Sequence, residues 1–116
     1  DNEAAAPCVP VPVSMGHAEA VLVEHEKPPR EADARRVLRN APGVSVVDHR
    51  TDEGYVTPLE SAGEDKVYVS RLRADPTVKN GLVFWCVADN LRKGAALNAV
   101  QIAEVVAARL GAAAAV

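Results

Sequence analysis

The 116-residue chain lacks the features that mark several large classes of protein. It has no run approaching the roughly 18 apolar residues that a membrane-spanning helix requires. Its start has no basic segment followed by an apolar one, as a signal peptide would have. The formal net charge is -3, whereas a nucleic-acid-binding surface is typically basic. We therefore expect a protein that binds neither a membrane nor nucleic acid.

Cysteine and histidine are also scarce. The two cysteines, Cys8 and Cys86, cannot form a disulfide framework, and each lies in an apolar stretch that favours a small buried residue. His25 and His49 do not have the spacing of metal ligands, so the sequence predicts no metal site. Few cysteines fit a cytoplasmic protein, and the abundance of Ala, Val and Arg is compatible with a bacterial origin.

What is present is an ordinary globular composition, 48% hydrophobic and 25% charged, in a length that suits one domain. The predicted element order is β-β-α-β-β-β-α. This order favours an α+β fold, in which a mixed, largely antiparallel sheet carries helices packed on one face. We expect a flexible lead-in at residues 1–7, a single domain at residues 8–110 and an Ala-rich tail at residues 111–116.

Strands are predicted at residues 9–13, 18–24, 44–48, 66–73 and 82–88, where apolar residues alternate or run continuously between turn signals. A first helix is predicted because Ala34, Val37, Leu38 and Ala41 recur at helical spacing. The polar segment 50–64 predicts a long loop. The last helix is apolar over most of its circumference, which predicts that it is buried between the sheet and a second, unspecified surface. Phe84 and Trp85 are expected in the core.

Two stretches of the sequence resemble one enzyme family. Residues 89–104 read DNLRKGAALNAVQIAE. Upstream, Val11-Pro12-Val13, Gly16-His17 and Glu19-Ala20 resemble the block Arg-Val-Pro-Val-x-x-Gly-His-Ser-Glu-Ala. Both stretches resemble signatures of the aspartate-β-semialdehyde dehydrogenases. Shorter matches at residues 40–44, 57–59, 71–73 and 75–76 fall in the family's order, so the resemblance covers roughly residues 8–108.

The resemblance implies a truncated part of a larger enzyme. The family has an N-terminal Rossmann domain for NADP and a C-terminal domain for catalysis and dimerisation, and this chain resembles only the last part of the second. The sequence contains neither the Gly-x-x-Gly-x-x-Gly loop nor the Asn-Cys-Ser/Thr motif of the catalytic thiol, and Cys8 matches a non-catalytic cysteine. The implied protein is a homodimer that uses no cofactor and has no dehydrogenase activity on its own.

One histidine occupies the family's catalytic acid/base position. His17 keeps that position, but Pro10 stands where the family has an arginine that binds the substrate carboxylate, and Ala18 replaces a serine. Glu19 follows His17 by two residues, so both side chains point the same way in an extended strand, and the carboxylate can stabilise the imidazolium. His17 is either an acid/base residue with Glu19 as its partner or a structural histidine at a strand end.

The junction before the last helix offers further candidates. By resemblance, Asn90, Lys93 and Gly94 are vestigial cofactor-binding residues. The alternative is that Asp89 or Asn90 simply caps the helix. The role of two arginines on a predicted strand also remains open, since Arg71 and Arg73 can line a subunit contact or face solvent.

Three functional hypotheses follow. In the first, the domain dimerises through its sheet and has no dehydrogenase activity on its own. In the second, a free-standing small enzyme reuses the His17 pocket for non-redox acid/base chemistry on a small molecule. In the third, the chain is a binding partner that completes or regulates another dehydrogenase-like chain.

Overall fold

The computed structural model describes the backbone of residues 3–114 and the side chains of residues 3–111. Within these residues the chain forms five strands, three α-helices and one turn of π-helix. In chain order they are β1 (Glu3–Ala5), β2 (His17–Glu24), α1 (Glu31–Arg39), β3 (Val44–Val46), α2 (Pro58–Ser61), β4 (Val67–Asp75), β5 (Gly81–Ala88), the π-turn (Arg92–Ala96) and α3 (Leu97–Ala114).

The strands form one sheet in the order β1-β2-β5-β4-β3. All neighbours are antiparallel except β3 and β4, which are parallel. The predicted α+β fold with a mixed, largely antiparallel sheet is therefore confirmed. The continuously apolar β5 lies at the centre of the sheet, as expected for a strand that can bury both of its faces.

Helix α1 covers one face of the sheet. Its acidic residues lie in the first turn and its basic residues in the last, which suits the helix dipole. Ala34 and Leu38 face a groove of about 430 Å³ that Val23, Leu82 and Phe84 line from the sheet. The helical spacing in the sequence thus predicted Ala34 and Leu38 correctly, whereas Val37 is 62% exposed and Ala41 lies beyond the end of α1.

The opposite face carries the buried core. Ala18 and Val87 pack with Val56, which comes from the segment between β3 and β4. The indole Nε1–H of Trp85 donates to the carbonyl of Val56 at 2.9 Å, which fixes this segment to the sheet. The core prediction for Phe84 and Trp85 is only partly right, because both side chains are partly buried in the described residues.

The segment predicted as a long loop contains the short helix α2. Thr57 and Glu60 form a reciprocal capping box at its start, and Pro58 occupies its first turn. Four residues are too few for a helical hydrophobic period, but the Thr-x-x-Glu spacing is a recognised signal for a helix start. The prediction of an unbroken loop was therefore wrong.

The N-terminal segment also differs from expectation. The strand predicted at residues 9–13 is absent, and only a single bridge forms between Cys8 and Glu19. Pro10 and Pro12 have no N–H to donate, so this segment cannot continue the ladder. Instead β1 pairs with β2, where a flexible lead-in was expected at residues 1–7. Residues 1 and 2 lie outside the described residues, and the domain limits remain a prediction.

Helix α3 contradicts the prediction that it is buried. Its main contacts are with the preceding π-turn, and its apolar side chains are exposed in the described chain. Five of these apolar residues are each between 49% and 66% exposed: Val100, Ile102, Val105, Val106 and Leu110. The helix continues to Ala114 through much of the predicted tail, and residues 115 and 116 lie outside the described residues. Among described helices, none has the length and apolarity needed to cross a membrane.

Candidate functional site

The structure brings all five predicted site residues to one small cavity. His17, Glu19, Asn90, Lys93 and Gly94 line a space of about 170 Å³ at the end of the sheet. The remaining lining residues, Val67, Cys86 and Ala88, come from β4 and β5. Residues more than 70 positions apart in sequence thus meet because β2 runs antiparallel to β5.

His17 and Glu19 form an ion-pair geometry on β2. They face Ala88 and Cys86 of β5 across the sheet, and because they are two residues apart their side chains share one face. His17 Nε2 lies 3.2 Å from Glu19 Oε1. The two side chains are 44% and 35% exposed, so a small molecule in solvent can reach both. The predicted juxtaposition is present, while their catalytic role remains a prediction.

A glycine with a positive φ places His17 at the mouth of the cavity. Gly16 has a φ of +99°, and a Cβ added to it would lie 2.3 Å from the carbonyl oxygen of Pro58. Its N–H donates to the side-chain oxygen of Asn90 at 3.0 Å. Only glycine fits this position without strain. Asn90 therefore holds the turn that carries His17, a function that sequence reasoning did not assign to it.

Asp89 is the residue that caps the π-turn. Its carboxylate accepts hydrogen bonds from the N–H groups of Leu91 at 2.8 Å and Arg92 at 3.1 Å. It also accepts from the N–H of Gly63 at 2.7 Å, although the side chain is only 1% exposed. Hydrogen bonding, chiefly from Gly63, lowers the pKa of Asp89. Of the two capping candidates the structure selects Asp89, and cofactor binding by Asn90, Lys93 and Gly94 remains a prediction.

Among the described residues that line the cavity, Lys93 is the only lysine or arginine. Its Nζ donates to Gln101 Oε1 at 2.5 Å, which ties the π-turn to α3. The neighbouring Arg92 instead pairs with Asp65. With Pro10 unable to bind an anion, the cavity offers an ammonium group rather than the bidentate guanidinium that a carboxylate prefers.

The two cysteines flank Glu19, one on β5 and one in the isolated bridge. Cys86 is its partner on β5, and Cys8 is its partner in the isolated bridge. Two strand spacings separate their Cα atoms by about 10 Å, which is too far for a disulfide. Burial, with a smaller contribution from the charge of Glu19, raises the pKa of the Cys86 thiol to about 11. Cys86 is therefore a protonated, weakly nucleophilic thiol near neutral pH.

The position of Cys8 differs from the one expected from the sequence. It is exposed, so the prediction of a buried residue was wrong for this cysteine. Its sulfur and the ligand atoms of His17 and Glu19 all lie within 4.8 Å of one another. Sequence reasoning missed this cluster because it expected a flexible lead-in at residues 1–7, whereas Cys8 continues the register in which β1 pairs with β2.

Arg71 and Arg73 lie outside the cavity. The guanidinium of Arg71 lies 5.8 Å from the ring centre of Tyr55. Arg73 donates to the carbonyl of Arg71 at 2.8 Å, and both arginines are exposed in the described chain. A subunit contact at these residues remains a prediction.

Comparison with known proteins gives a consistent result. Residues 1–93 match the family described as semialdehyde dehydrogenase, dimerisation domain. The chain belongs to this family. The match covers β1 to β5 and the cavity as far as Lys93, while α3 lies beyond it. The resemblance noted in the sequence is therefore confirmed.

Curated relatives carry the same family name. The chain is 50% identical over 100 residues to the aspartate-semialdehyde dehydrogenase of Aquifex aeolicus, covering 86% of this chain and 29% of the relative. It is 53% identical over 98 residues to that of Legionella pneumophila, covering 84% of this chain and 28% of the relative. The semialdehyde dehydrogenase dimerisation domain thus spans less than a third of the relatives it matches.

A solved structure supports the fold of the domain. Aspartate semialdehyde dehydrogenase II of Vibrio cholerae, solved as a complex with ASA, aligns with a TM-score of 0.74 at 42% identity. The alignment covers 84% of this chain and 28% of the Vibrio chain. The α+β sheet of this semialdehyde dehydrogenase dimerisation domain is therefore shared with part of a larger solved protein.

Proposed function

We propose that the chain is a dimerisation domain that forms a homodimer through its sheet and has no dehydrogenase activity on its own. The observation that carries this proposal is the family match, which covers every strand of the sheet and ends before α3. A two-fold symmetric interface between identical sheets is the default arrangement for such an association.

The sheet offers a suitable surface on the face opposite α1. The segment that contains Val56 packs near Val87, at one end of this face. Toward the other end, Leu22 and Val83 are direct cross-strand partners on β2 and β5, and both are only partly buried. Arg73 is the next cross-strand neighbour of Val83 and can supply a polar rim. A second copy would remove the remaining apolar surface from water.

The absence of activity rests on the residues that such chemistry requires. The 116 residues contain no glycine-rich dinucleotide loop and no Asn-Cys-Ser/Thr motif. Cys86, the thiol lining the cavity, has a pKa raised to about 11 and is a poor nucleophile. The expected result of mixing the purified chain with NADP, phosphate and aspartate semialdehyde is no NADPH above a buffer blank. NADPH formation would contradict this part of the proposal.

The homodimer itself is tested by mass. Light scattering on the purified chain should give twice the 12.2 kDa of one copy. The same measurement on the purified chain in the presence of a reducing agent excludes a dimer that is linked by a disulfide bond through the exposed Cys8. A mass of one copy at tens of micromolar protein would overturn the proposal.

A second candidate function is acid/base catalysis on a small molecule. The 3.2 Å contact between His17 Nε2 and Glu19 Oε1 favours it, because a carboxylate at this distance can orient the imidazole ring toward a substrate in the cavity. Lys93 adds a cation to the same cavity, so the substrate class would be small and anionic. With such a substrate, His17→Ala should lower the rate about 100-fold while the thermal midpoint barely moves. An unchanged rate would rule this function out.

The third candidate is a partner that completes or regulates another dehydrogenase-like chain. The exposed apolar stripe of α3 favours it, since the helix lies beyond the family match and covers little of its own domain. An isolated NADP-binding domain should bind the chain, and Ile102→Lys should weaken the complex at least tenfold. Binding that is indifferent to Ile102→Lys would remove α3 as the contact.

A further inference from the structure

We propose that Cys8, His17 and Glu19 form a three-ligand site for a divalent transition metal of the zinc class. The three residues come from the isolated bridge and from β2, at the edge of the cavity. Nothing in the dimerisation or in the acid/base proposal requires Cys8, so this inference adds a binding site to the domain.

The backbone sets Cys8 directly against Glu19. The N–H of Val9 donates to the carbonyl of Ala18 at 2.9 Å, and the N–H of Ala20 donates to the carbonyl of Pro7 at 3.1 Å. These two bonds flank the Cys8–Glu19 pair, which is therefore a non-hydrogen-bonded antiparallel pair. Such pairs have the shorter Cα separation and bring their side chains closest together.

His17 completes the cluster from the same strand face. Its Nε2 lies 3.2 Å from Glu19 Oε1, and the ligand atoms of all three residues lie within 4.8 Å of one another. Two tetrahedral zinc ligands, each about 2.0–2.1 Å from the metal, are roughly 3.3 Å apart. The histidine–glutamate spacing already fits a shared metal, and the exposed Cys8 side chain is free to rotate toward it.

The donor set selects the class of metal. A thiolate, an imidazole and a carboxylate suit Zn²⁺ or Co²⁺, whereas Mg²⁺ and Ca²⁺ require oxygen ligands. Two negative ligands offset the charge of the cation. Because His17 and Glu19 are 44% and 35% exposed, water can occupy a fourth position, as in zinc sites with three protein ligands.

Metal binding has a consequence for His17. A metal on Nε2 uses the lone pair that would otherwise accept a proton, so a metal-loaded site cannot use this nitrogen for acid/base chemistry. Metal occupancy and the acid/base function of His17 are therefore mutually exclusive.

Titration of the reduced 116-residue chain with Co²⁺ tests the site. The expected result is one bound Co²⁺ ion per chain and a near-ultraviolet absorption band from the cobalt–sulfur bond. Added Zn²⁺ should abolish this band, because zinc binds such a site more tightly and displaces the cobalt. Cys8→Ser should remove the band. Co²⁺ binding should be about 100-fold weaker in each of the three variants Cys8→Ser, His17→Gln and Glu19→Gln. Loss of a direct ligand should cost at least as much as loss of a residue that only hydrogen-bonds a ligand.

Cys86→Ser is the matched control, because Cys86 also faces Glu19 but lies outside the cluster. It should leave both the band and the affinity unchanged. Circular dichroism of each variant verifies the fold, and Zn²⁺ should raise the thermal midpoint of the wild type but not of Cys8→Ser. No cobalt–sulfur band, or an affinity unaffected by His17→Gln and Glu19→Gln, would overturn the proposal. These outcomes are independent of the mass and NADPH measurements.

Discussion

The sheet and helix α3 are both rich in apolar residues, yet they end in opposite environments. Leu72 of β4 is completely buried, and Val87 of β5 is 1% exposed. In α3, by contrast, Leu110 is 66% exposed. An apolar pattern therefore indicates that a surface needs to be buried, but the pattern does not determine which part of which molecule buries it.

The sharpest test of this contrast is the same substitution in the two regions. Leu72→Ala should lower the free energy of unfolding by about 3 kcal/mol, because it removes a fully buried side chain and leaves a cavity. Leu110→Ala should change it by less than about 0.5 kcal/mol, since its side chain is mostly in water. Urea unfolding followed by circular dichroism measures both values. Similar losses for the two variants would show that α3 is packed in solution.

A second pair of variants tests the packing that positions His17. Gly16→Ala should cost about 3 kcal/mol, because the new Cβ meets the Pro58 carbonyl at 2.3 Å in addition to the strain of a positive φ. Gly63→Ala is the control, with a φ of +82° and nothing within 4 Å of the new Cβ. It should cost only about 1 kcal/mol. Equal losses would mean that the Gly16–Pro58 contact does not restrict the site.

A smaller, pH-dependent effect is expected at Asp89. Its hydrogen bonds, chiefly that from Gly63, lower its pKa below the ordinary value of 3.8. Its contribution to stability is therefore present above the unfolded-state pKa and is lost as the pH falls through the lower folded-state pKa. Asp33, Glu60 and Asp75 also have lowered pKa values, so the wild type carries several such contributions.

Comparison with Asp89→Asn isolates this one carboxylate. The urea midpoint of the wild type should exceed that of the variant at pH 7, and the difference should shrink at pH 3. A difference that is constant between the two pH values would contradict the assigned role of the charge.

The elements with a clear period could be predicted from the sequence. The helical spacing of α1 and the continuous apolar run of β5 depend on local side-chain patterns, and both lie where they were expected. The prediction of a strand at residues 9–13 was wrong because Pro10 and Pro12 have no N–H group to donate to a neighbouring strand. Helix α2 was missed because four residues carry no period, although the Thr57–Glu60 capping signal was present.

In the candidate site, too, only the contact that depends on local spacing could be predicted. The two-residue spacing of His17 and Glu19 predicted their contact correctly, because it depends only on strand geometry. The hydrogen bond from Gly16 to Asn90 and the approach of Cys8 could not be predicted. Both depend on how distant segments are brought together by strand order and register.

The proposed homodimer associates through its sheet and not through α3. Sedimentation velocity over a range of concentrations tests it directly, on the wild type, on Ile102→Lys combined with Val106→Lys, and on the polar-site control Glu104→Lys. We expect all three to sediment as dimers at twice 12.2 kDa. A 12.2 kDa wild type at tens of micromolar protein, or a dimer that only the double variant dissociates, would contradict this arrangement.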